Sequence, residues 1–237
     1  KAILITARLK STRLKKKIIK KYKNKTVLEY LVKRIQKNTK IPIILCTSTN
    51  PQDKPLISLS KKLNILCYAG SEDDVLKRYI DACDNFKINK MYIVYADEPF
   101  INFALLKKSF RQLKYGKKIW VRNNLFVEGS YGYGLTYEAL KLIKNLTKST
   151  NNEVWQENAS KMPIIVIQNR MLNKYKKEDY RLTIDYNEDL KVFKLLLSKF
   201  KNKFFTISFY DILNYYNKMN YFSINGKRND DYNARIK

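Results

Sequence analysis

The sequence opens with AILITARLKSTRLKKK (residues 2–17), in which a short apolar run leads directly into a strongly basic stretch. The run over residues 2–6 has the length and the β-branched content of a buried strand. The stretch after it carries cationic and hydroxyl side chains: Arg8, Arg13, Lys17, Ser11 and Thr12. Such groups neutralise phosphate charge and donate directional hydrogen bonds to phosphate oxygens. We interpret residues 8–17 as a candidate polyphosphate-binding loop, the alternative being a solvated basic turn.

Short apolar runs alternate with stretches of helical spacing along the rest of the chain. Runs rich in β-branched residues lie at residues 2–6, 41–47, 65–68, 91–95, 119–121, 164–167 and 181–184. Between them, apolar residues recur three and four positions apart, as at Leu28, Leu31 and Ile35. The alternation predicts an α/β fold with a mainly parallel, mixed sheet and helices on both faces.

Local signals refine this outline. Thr26, three residues before Glu29, predicts a capping box at the start of a helix. Tyrosines and glycines interleave over residues 127–134, which predicts a flexible loop beside a functional site. Because no internal repeat or long linker is visible, we predict a single domain over residues 1–223. Residues 224–237 are interpreted as a tail that is either poorly packed or part of a subunit contact.

Composition narrows the possible chemistry. The 237 residues contain no histidine, which excludes Ser-His-Asp and Cys-His nucleophiles, histidine bases and most zinc sites. The three cysteines form neither a CxxC pair nor an even-numbered framework, so we expect them to be reduced. Catalysis would therefore depend on carboxylates, lysine, arginine, tyrosine or a hard metal ion.

The formal net charge of +27 is compatible with anionic partners, including nucleic acid. The lysines are spread along the whole chain, which favours a general compositional bias with solvated faces over a dedicated nucleic-acid surface. No apolar run approaches the roughly 18 residues of a membrane span, and no secretory apolar segment opens the sequence. We therefore expect a cytoplasmic protein with no membrane partner and no specific nucleic-acid partner.

Two aspartates directly follow apolar runs. Asp97 comes after residues 91–96, and Asp185 comes after residues 180–184. Ligands of open α/β sheets bind beyond the carboxyl ends of the strands, where these carboxylates would meet the basic stretch. Because Mg²⁺ takes one or two carboxylates together with substrate phosphates, we predict that the two aspartates bind a magnesium ion. The alternative is that each aspartate caps a helix.

Six motifs occur in order along the chain. The first, A-R-L-K-S-T-R-L-K-K-K, resembles the pattern A-R-M-G-S-T-R-L-P-G-K, and the others are TVLEYL (26–31), CTSTNPQD (46–53), GSEDDVLKRY (70–79), ADEP (96–99) and LTIDYNEDL (182–190). Together they make the chain resemble the cytidylyltransferase family that activates acidic sugars. Within that family the resemblance is to the branch of the spore coat polysaccharide biosynthesis protein F.

The resemblance implies a Rossmann-like nucleotidyltransferase fold, CTP as substrate, magnesium as cofactor and a homodimer. It assigns nucleotide binding to Arg8, Ser11, Arg13, Lys17, Thr47 and Ser71. It assigns metal binding to Asp97 and Asp185, and catalysis to Arg8, Lys17 and Asp97. For the acceptor we expect the region 122–160, with the candidates Arg122, Tyr131, Tyr133 and Glu153.

The implied reaction transfers a cytidylyl group from CTP to a sugar acid, such as a nonulosonic acid, and releases pyrophosphate. Its product would be a CMP derivative for surface polysaccharide. Two alternatives stay open. One is a cytidylyltransferase that acts on a sugar phosphate, a phosphonate or another small phosphorylated acceptor. The other is a basic nucleic-acid-binding protein built on a degenerate transferase scaffold.

The chain also departs from the family pattern. Lys10 and Lys16 stand where the opening motif has glycine, and Lys15 stands where it has proline. Ala96 replaces the glycine before Asp97, and Glu98 adds a carboxylate after it. A family motif E-H-V-T survives only as Glu153-Val154, without its histidine. The changes in the loop remove residues that permit close approach to phosphate. Three consequences stay open: a divergent acceptor, altered metal handling or lost activity, and the retained basic and acidic site residues disfavour the last.

Overall fold

A computed structural model of the chain describes residues 1–113, 120–123, 127–147, 149, 155–159, 161, 164–167, 175 and 180–231. Its strands are β1 (Ala2–Thr6), β2 (Lys21–Tyr22), β3 (Lys25–Thr26), β4 (Ile43–Ser48), β5 (Leu66–Gly70), β6 (Lys90–Tyr95), β7 (Trp120–Asn123), β8 (Tyr133–Thr136) and β9 (Ile164–Ile167). Its α-helices are α1 (Val27–Asn38), α2 (Lys54–Lys62), α3 (Val75–Phe86), α4 (Phe103–Gln112), α5 (Tyr137–Leu146), α6 (Gln156–Ala159), α7 (Asn187–Phe200), α8 (Phe209–Lys218) and α9 (Phe222–Asn225).

The central sheet has seven strands in the order β5-β4-β1-β6-β8-β7-β9. Strands β5, β4, β1 and β6 are parallel to one another. Strand β8 runs antiparallel to both of its neighbours, β6 and β7, and β9 is parallel to β7. The short β2 and β3 form a separate antiparallel hairpin. The sheet is therefore mixed and mainly parallel, which confirms the predicted fold class.

Residues of β1, β4 and β6 alternate between two apolar clusters, one on each face of the sheet. Ile3 and Ile5 of β1 contribute to the larger cluster, together with residues of α1, α4, α7 and α8. Ala2 and Leu4 contribute to the smaller cluster, together with residues of α3 and α5. Because both faces are covered, the parallel strands are nearly continuous apolar runs in the sequence.

Two local predictions, the capping box and the free cysteines, are confirmed. The Thr26 side chain accepts a hydrogen bond from the Glu29 N–H (3.1 Å), and the Glu29 carboxylate accepts one from the Thr26 N–H (2.6 Å), which is the predicted capping box. All three cysteines are free. None of the helices in the described ranges combines the length and the apolar composition that crossing a bilayer requires.

The predicted strand at residues 181–184 is wrong. This segment makes only an isolated bridge, between Arg181 and Glu128. Its backbone N–H groups bond to neighbours in loops: Leu182 donates to Glu128 O (2.8 Å) and Ile184 donates to Asp97 O (3.0 Å). Leu182 and Ile184 are apolar because both are buried in the larger cluster, not because the segment joins a sheet.

The predicted loop at residues 127–134 is too long, because Tyr133 and Gly134 belong to β8, whereas residues 127–132 form the connection before it. Two glycines of this connection serve close packing. Gly129 has a φ of +83°, and a Cβ atom there would lie 2.2 Å from the Thr183 backbone nitrogen. At Gly132 a Cβ atom would lie 2.1 Å from the carbonyl oxygen of Ile93. Glycine is needed at both positions because the backbones approach one another too closely for any side chain.

The first part of the predicted tail packs against the domain. Asn225, at the end of α9, is 1% exposed. Arg228 forms ion pairs with Glu188 (2.7 Å) and Asp231 (2.8 Å). The expectation of a poorly packed tail is therefore wrong for residues 224–231, and residues 232–237 lie outside the described part of the chain.

We expect Gly129→Ala to lower the free energy of unfolding by about 2–5 kcal/mol, because the residue is left-handed and the added methyl would overlap the backbone at Leu182 and Thr183. Urea unfolding followed by circular dichroism measures the loss. Gly70→Ala is the matched control, since there the methyl would mainly meet the ring of Tyr68, a side chain that can move. Equal losses in the two variants would contradict the role assigned to Gly129.

Candidate active site

The carboxyl ends of β1, β4, β5 and β6 lie along one edge of the sheet because these strands are parallel. Strand β1 is central: the chain runs from it to β4 and β5 on one side and then to β6 on the other. This reversal opens a crevice at the carboxyl edge, which is where open α/β sheets bind ligands. The segment that leaves β1 at this crevice, residues 7–17, is called the basic loop.

Apolar residues anchor the basic loop and so determine which side chains can face the crevice. Leu9 and Leu14 are buried in the larger apolar cluster. The Leu9 N–H also donates to the buried carboxylate of Asp53 (2.7 Å), which ties the loop to the start of α2. The cationic residues between these anchors are left partly exposed, as shown by the Arg13 side chain, which is 27% exposed.

The backbone of the basic loop turns at Lys16, which has a left-handed conformation (φ 53°, ψ 32°). Glycine, the residue of the resembled motif at this position, adopts that conformation without strain. Lysine does so at a cost of about 1–2 kcal/mol. The turn places Lys17 at the start of a 3₁₀ segment, Lys17–Ile19, whose Ile18 is buried.

Lys17 lies between the carboxylates of Asp97 and Asp185. Its Nζ donates to Asp97 Oδ2 in a short contact and to Asp185 Oδ1 at 2.7 Å. Arg13 Nη2 donates to the same oxygen of Asp185. The fold therefore brings together both predicted metal ligands and two of the predicted phosphate-binding cations, from positions 80 to 172 residues apart.

The electrostatics of this cluster keep Lys17 and Asp185 charged at neutral pH. Burial by itself lowers the pKa of Lys17, but the carboxylates of Asp97 and Asp185 outweigh burial and raise that pKa. Burial by itself raises the pKa of Asp185, but Lys17, Arg13 and Arg181 outweigh burial and lower that pKa. The two carboxylates thus form a position that stabilises a cation.

The Asp97–Asp185 pair has the donor set that a magnesium ion brought by a nucleotide would need. Both carboxylates reach the same nitrogen, so one oxygen of each is directed to a common position. Among the described residues, no group of three or more acidic or cysteine side chains could hold a metal. A two-carboxylate site fits a magnesium ion that completes its coordination with phosphate oxygens and water.

A buried ion-pair network holds Asp185 from the protein side. Arg181 is fully buried, and its Nη2 donates to Asp185 Oδ2 (3.0 Å) while its Nε donates to Asp189 Oδ1 (2.9 Å). The other oxygen of Asp189 accepts from the N–H groups of Asp185 and Tyr186, both at 2.9 Å, at the start of α7. The carboxylate that caps α7 is therefore Asp189, which leaves Asp185 available to the crevice.

Arg8 lies at the opposite end of the basic loop. Its Nη1 donates to the carbonyl oxygen of Glu72 (2.6 Å), and burial, followed by the nearby Arg78, lowers its pKa. The Glu72 carboxylate accepts from the Asn50 side chain (2.7 Å) and lies 3.5 Å from Lys10 Nζ. The basic loop thus spans the crevice from the segments after β4 and β5 to the two aspartates.

The other predicted nucleotide-binding residues differ in accessibility. Ser11 is half-buried within the basic loop. Ser71 is half-buried before α3, where its Oγ accepts from the Asp74 N–H (3.0 Å). Thr47 is fully buried, and its hydroxyl has no hydrogen-bond partner in the described structure. Ser11 and Ser71 can therefore reach a ligand in the crevice, whereas Thr47 lies beneath the surface.

Aromatic residues cluster near Asp97, on the side predicted for the acceptor. The Tyr133 ring packs edge-to-face on Tyr95, Tyr131 and Trp155, with centroid distances of 6.4, 5.8 and 5.2 Å. Tyr131 and Tyr133 are both half-buried. Of the remaining candidates, Arg122 belongs to β7, whose backbone alone is described, and Glu153 lies outside the described residues.

Glu98 differs from its neighbour Asp97 in its surroundings. It is 7% exposed, and one of its carboxylate oxygens has no hydrogen-bond partner in the described structure. Burial, and then the charges of Asp97 and Glu128, raise its pKa well above the usual range. The charged form of Glu98 is therefore disfavoured.

Sequence reasoning missed Arg181, Asp189 and Asp53, the residues that position the site. Asp53 ends the CTSTNPQD motif, and Arg181 and Asp189 lie four residues to either side of Asp185. This spacing of oppositely charged residues was the signal in the sequence that could have indicated an ion-pair network around Asp185. Only the folded backbone shows that all three side chains point inward.

Comparisons with known proteins concern the family and the fold of the chain. A family model described as cytidylyltransferase matches residues 2–210. The uncharacterized protein MJ1063 of Methanocaldococcus jannaschii is 28% identical over 203 residues, which is 83% of each chain. The solved structure of a cytidylyltransferase from Leptospira borgpetersenii serovar Hardjo-bovis is 26% identical and superposes with a TM-score of 0.81, over 92% of this chain and 93% of its own.

A more distant structure shows the same fold. CMP:2-keto-3-deoxy-manno-octonic acid synthetase, solved in complex with CTP, superposes with a TM-score of 0.56 at 11% identity, over 84% of this chain and 98% of its own. The family match covers most of the chain and includes the basic loop and both aspartates. The chain belongs to the cytidylyltransferase family of nucleotidyltransferase enzymes.

Proposed function

We propose that this enzyme uses CTP and magnesium to activate a sugar acid as its CMP derivative, with release of pyrophosphate. The observation that carries the proposal is the convergence of Asp97 and Asp185 on one cationic nitrogen at the end of the basic loop. A nucleoside triphosphate with its divalent cation matches this arrangement, because the loop offers positive charge where phosphates would lie and the aspartates offer negative charge where the cation would lie.

The reaction joins an oxygen of the acceptor to the α-phosphorus of CTP. As that bond forms, the bond from the α-phosphorus to the bridging oxygen breaks, pyrophosphate leaves and the acceptor proton passes to water. Catalysis of such a displacement consists mainly of positioning the reactants and neutralising charge, so it does not require histidine. A bound magnesium ion would supply Lewis-acid polarisation of the phosphate oxygens.

The chain's own residues divide this work along the crevice. Asp97 and Asp185 would hold the cation, while Arg8, Arg13 and Lys17 would neutralise the triphosphate. Arg13 and Lys17 already lie within hydrogen-bond distance of Asp185, so a triphosphate there would compete with the aspartates for these two side chains. Ser11 and Ser71 would add hydrogen bonds from the loop and from the segment before α3.

The sugar-acid acceptor is supported by the resemblance of the six motifs to the spore coat polysaccharide branch of the family. The half-buried Tyr131 and Tyr133 suit a sugar ring, because tyrosine faces pack on the apolar side of a sugar and tyrosine hydroxyls bond its polar groups. The fully buried Trp155 packs against Tyr133. A phosphorylated acceptor is the alternative outcome, and the same assay distinguishes it.

We expect pyrophosphate release when the protein is incubated with CTP, Mg²⁺ and a panel of 3-deoxy-2-keto sugar acids, because these present a hydroxyl that can attack the α-phosphorus. The panel should include sugar phosphates and a phosphonate as the alternative acceptors, and ATP, GTP and UTP as nucleotide controls. Turnover with phosphorylated acceptors alone would replace the sugar-acid assignment. Failure of CTP to bind at all would contradict the proposed function.

We expect Asp97→Asn to lower turnover about 100-fold or more while leaving the thermal unfolding midpoint nearly unchanged, since a ligand charge is lost with little change in volume. Steady-state pyrophosphate release measures the effect. Asp81→Asn is the matched control, because Asp81 lies in a surface ion pair with Lys77 (2.6 Å). Wild-type kinetics for Asp97→Asn would rule out the role assigned to Asp97.

We expect Arg13→Ala to weaken CTP binding about 10-fold or more, because a charge-assisted contact to phosphate is removed. Isothermal titration calorimetry with CTP measures the affinity. Lys15→Ala removes a cation from the same loop at an exposed position and is the control for general charge. An equal, small loss in both variants would indicate that the loop attracts CTP only through its overall charge.

A further inference from the structure

We propose that Asn225, in the C-terminal segment, is a positioning residue for the metal site, acting on Asp185 through Asp189 and Arg181. The inference rests on the proposed function, because it takes Asp185 as a ligand of the nucleotide-bound cation. It adds a role for a segment far from the six motifs in sequence, which had been expected to be a tail.

The starting point is the orientation of the Asp185 carboxylate. Its Oδ2 accepts from the buried Nη2 of Arg181 (3.0 Å), and its Oδ1 accepts from Lys17 Nζ (2.7 Å) on the crevice side. Oδ2 is therefore bonded to the protein interior, whereas Oδ1 faces the crevice. Arg181 decides which oxygen is offered, so the position of Arg181 controls the geometry of the site.

Arg181 is in turn held by Asp189. Its Nε donates to Asp189 Oδ1 (2.9 Å) and its Nη2 lies 3.3 Å from Asp189 Oδ2. Both side chains of this pair are fully buried, with 0% exposure. A buried charge pair is stable only when its remaining hydrogen-bonding capacity is also satisfied, so a further donor to Asp189 matters here.

Asn225 supplies that donor. Its Nδ2 donates to Asp189 Oδ1 (2.9 Å) and to the backbone carbonyl oxygen of Arg181 (3.0 Å). Its Oδ1 accepts from the hydroxyl of Tyr216 on α8 (2.7 Å), which fixes the orientation of the amide. The buried Asn225 amide thus contacts both the Asp189 carboxylate, which binds the Arg181 side chain, and the backbone of Arg181.

Removal of the amide would therefore act on the site and not only on packing. Asp189 would keep its ion pair with Arg181, but the carbonyl oxygen of Arg181 and the carboxylate of Asp189 would each lose the hydrogen bond from Asn225. The Arg181 side chain, which orients Asp185, would then be held less firmly. A carboxylate left free to turn binds a cation with less favourable geometry, whereas none of the hydrogen bonds that the described structure gives Asn225 involves the basic loop. The expected signature is weaker cation binding with unchanged nucleotide binding.

The test uses Mn²⁺ as the probe, because free Mn²⁺ is measured directly by electron paramagnetic resonance. For Asn225→Ala we expect Mn²⁺ affinity in the presence of CTP to fall about 10- to 100-fold, while CTP affinity without metal stays within about twofold of wild type. Ser223→Ala is the control in the same helix, since Ser223 is exposed and bonds only locally, to Asn220 O.

A second variant keeps the test valid if Asn225→Ala fails to fold. Tyr216→Phe removes only the hydroxyl that orients the amide, and we expect a fall in Mn²⁺ affinity of about 3- to 10-fold. Tyr30→Phe is its control, because that hydroxyl bonds Tyr22 O away from the site.

The two proposals fail in different ways. If wild-type protein does not bind Mn²⁺ with CTP, both the proposed function and the role of Asn225 are overturned. If wild type binds Mn²⁺ and Tyr216→Phe and folded Asn225→Ala bind it equally well, only the role of Asn225 is overturned. A parallel loss of CTP affinity without metal would also overturn it, because a general structural defect would then explain the result.

Discussion

Two carboxylates cannot face one another in a half-buried crevice unless positive charge lies between them, and this constraint organises the whole site. Like charges at short distance raise each other's pKa, and burial adds to that penalty. Here Lys17 and Arg13 supply the positive charge from the crevice side, and Arg181 supplies it from the interior. The basic loop and the buried network therefore neutralise the two carboxylates together, the loop from the crevice and the network from the interior. A cation carried by a triphosphate would meet the same requirement and would release Lys17 and Arg13 for the phosphates.

The lysines that replace glycine in the basic loop change the loop's chemistry more than its shape. Lys16 keeps a left-handed backbone although it is not glycine, because Leu14 and Ile18 are buried on either side and fix the path of the chain. Such strain is tolerated where surrounding packing determines the conformation. What the loop lacks is the bare backbone that lets phosphate approach closely. Longer cationic side chains, which act at a greater distance, take the place of those glycines.

Most of the parallel strands could be predicted from the sequence, because strands that are buried on both faces are continuous apolar runs. The same signal misled at residues 181–184, where Leu182 and Ile184 are apolar for burial but the backbone pairs with loops. It also missed β8, which begins at Tyr133, and the two glycines just before this strand, Gly129 and Gly132, allow close backbone approach. The motifs identified Asp97 and Asp185 but not the network behind them. The contact of Asn225 could not be predicted, because no local pattern shows that an amide 36 residues after Asp189 binds the Asp189 carboxylate.

The direction of β8 explains why the two sides that we propose for the nucleotide and the acceptor differ in character. The residues that follow each parallel strand lie at the crevice, as Asp97 does after β6. Strand β8 runs the other way, so its first residue, Tyr133, pairs with Ile93 near the carboxyl end of β6. Under the proposed function, the acceptor side would be built from the residues that enter β8, including Tyr131, and from the helix that follows Trp155. Charge is concentrated where the strands are parallel and aromatic side chains where the direction reverses, so under the proposed function a change of acceptor would involve β8 and the residues before it and would leave the aspartates in place.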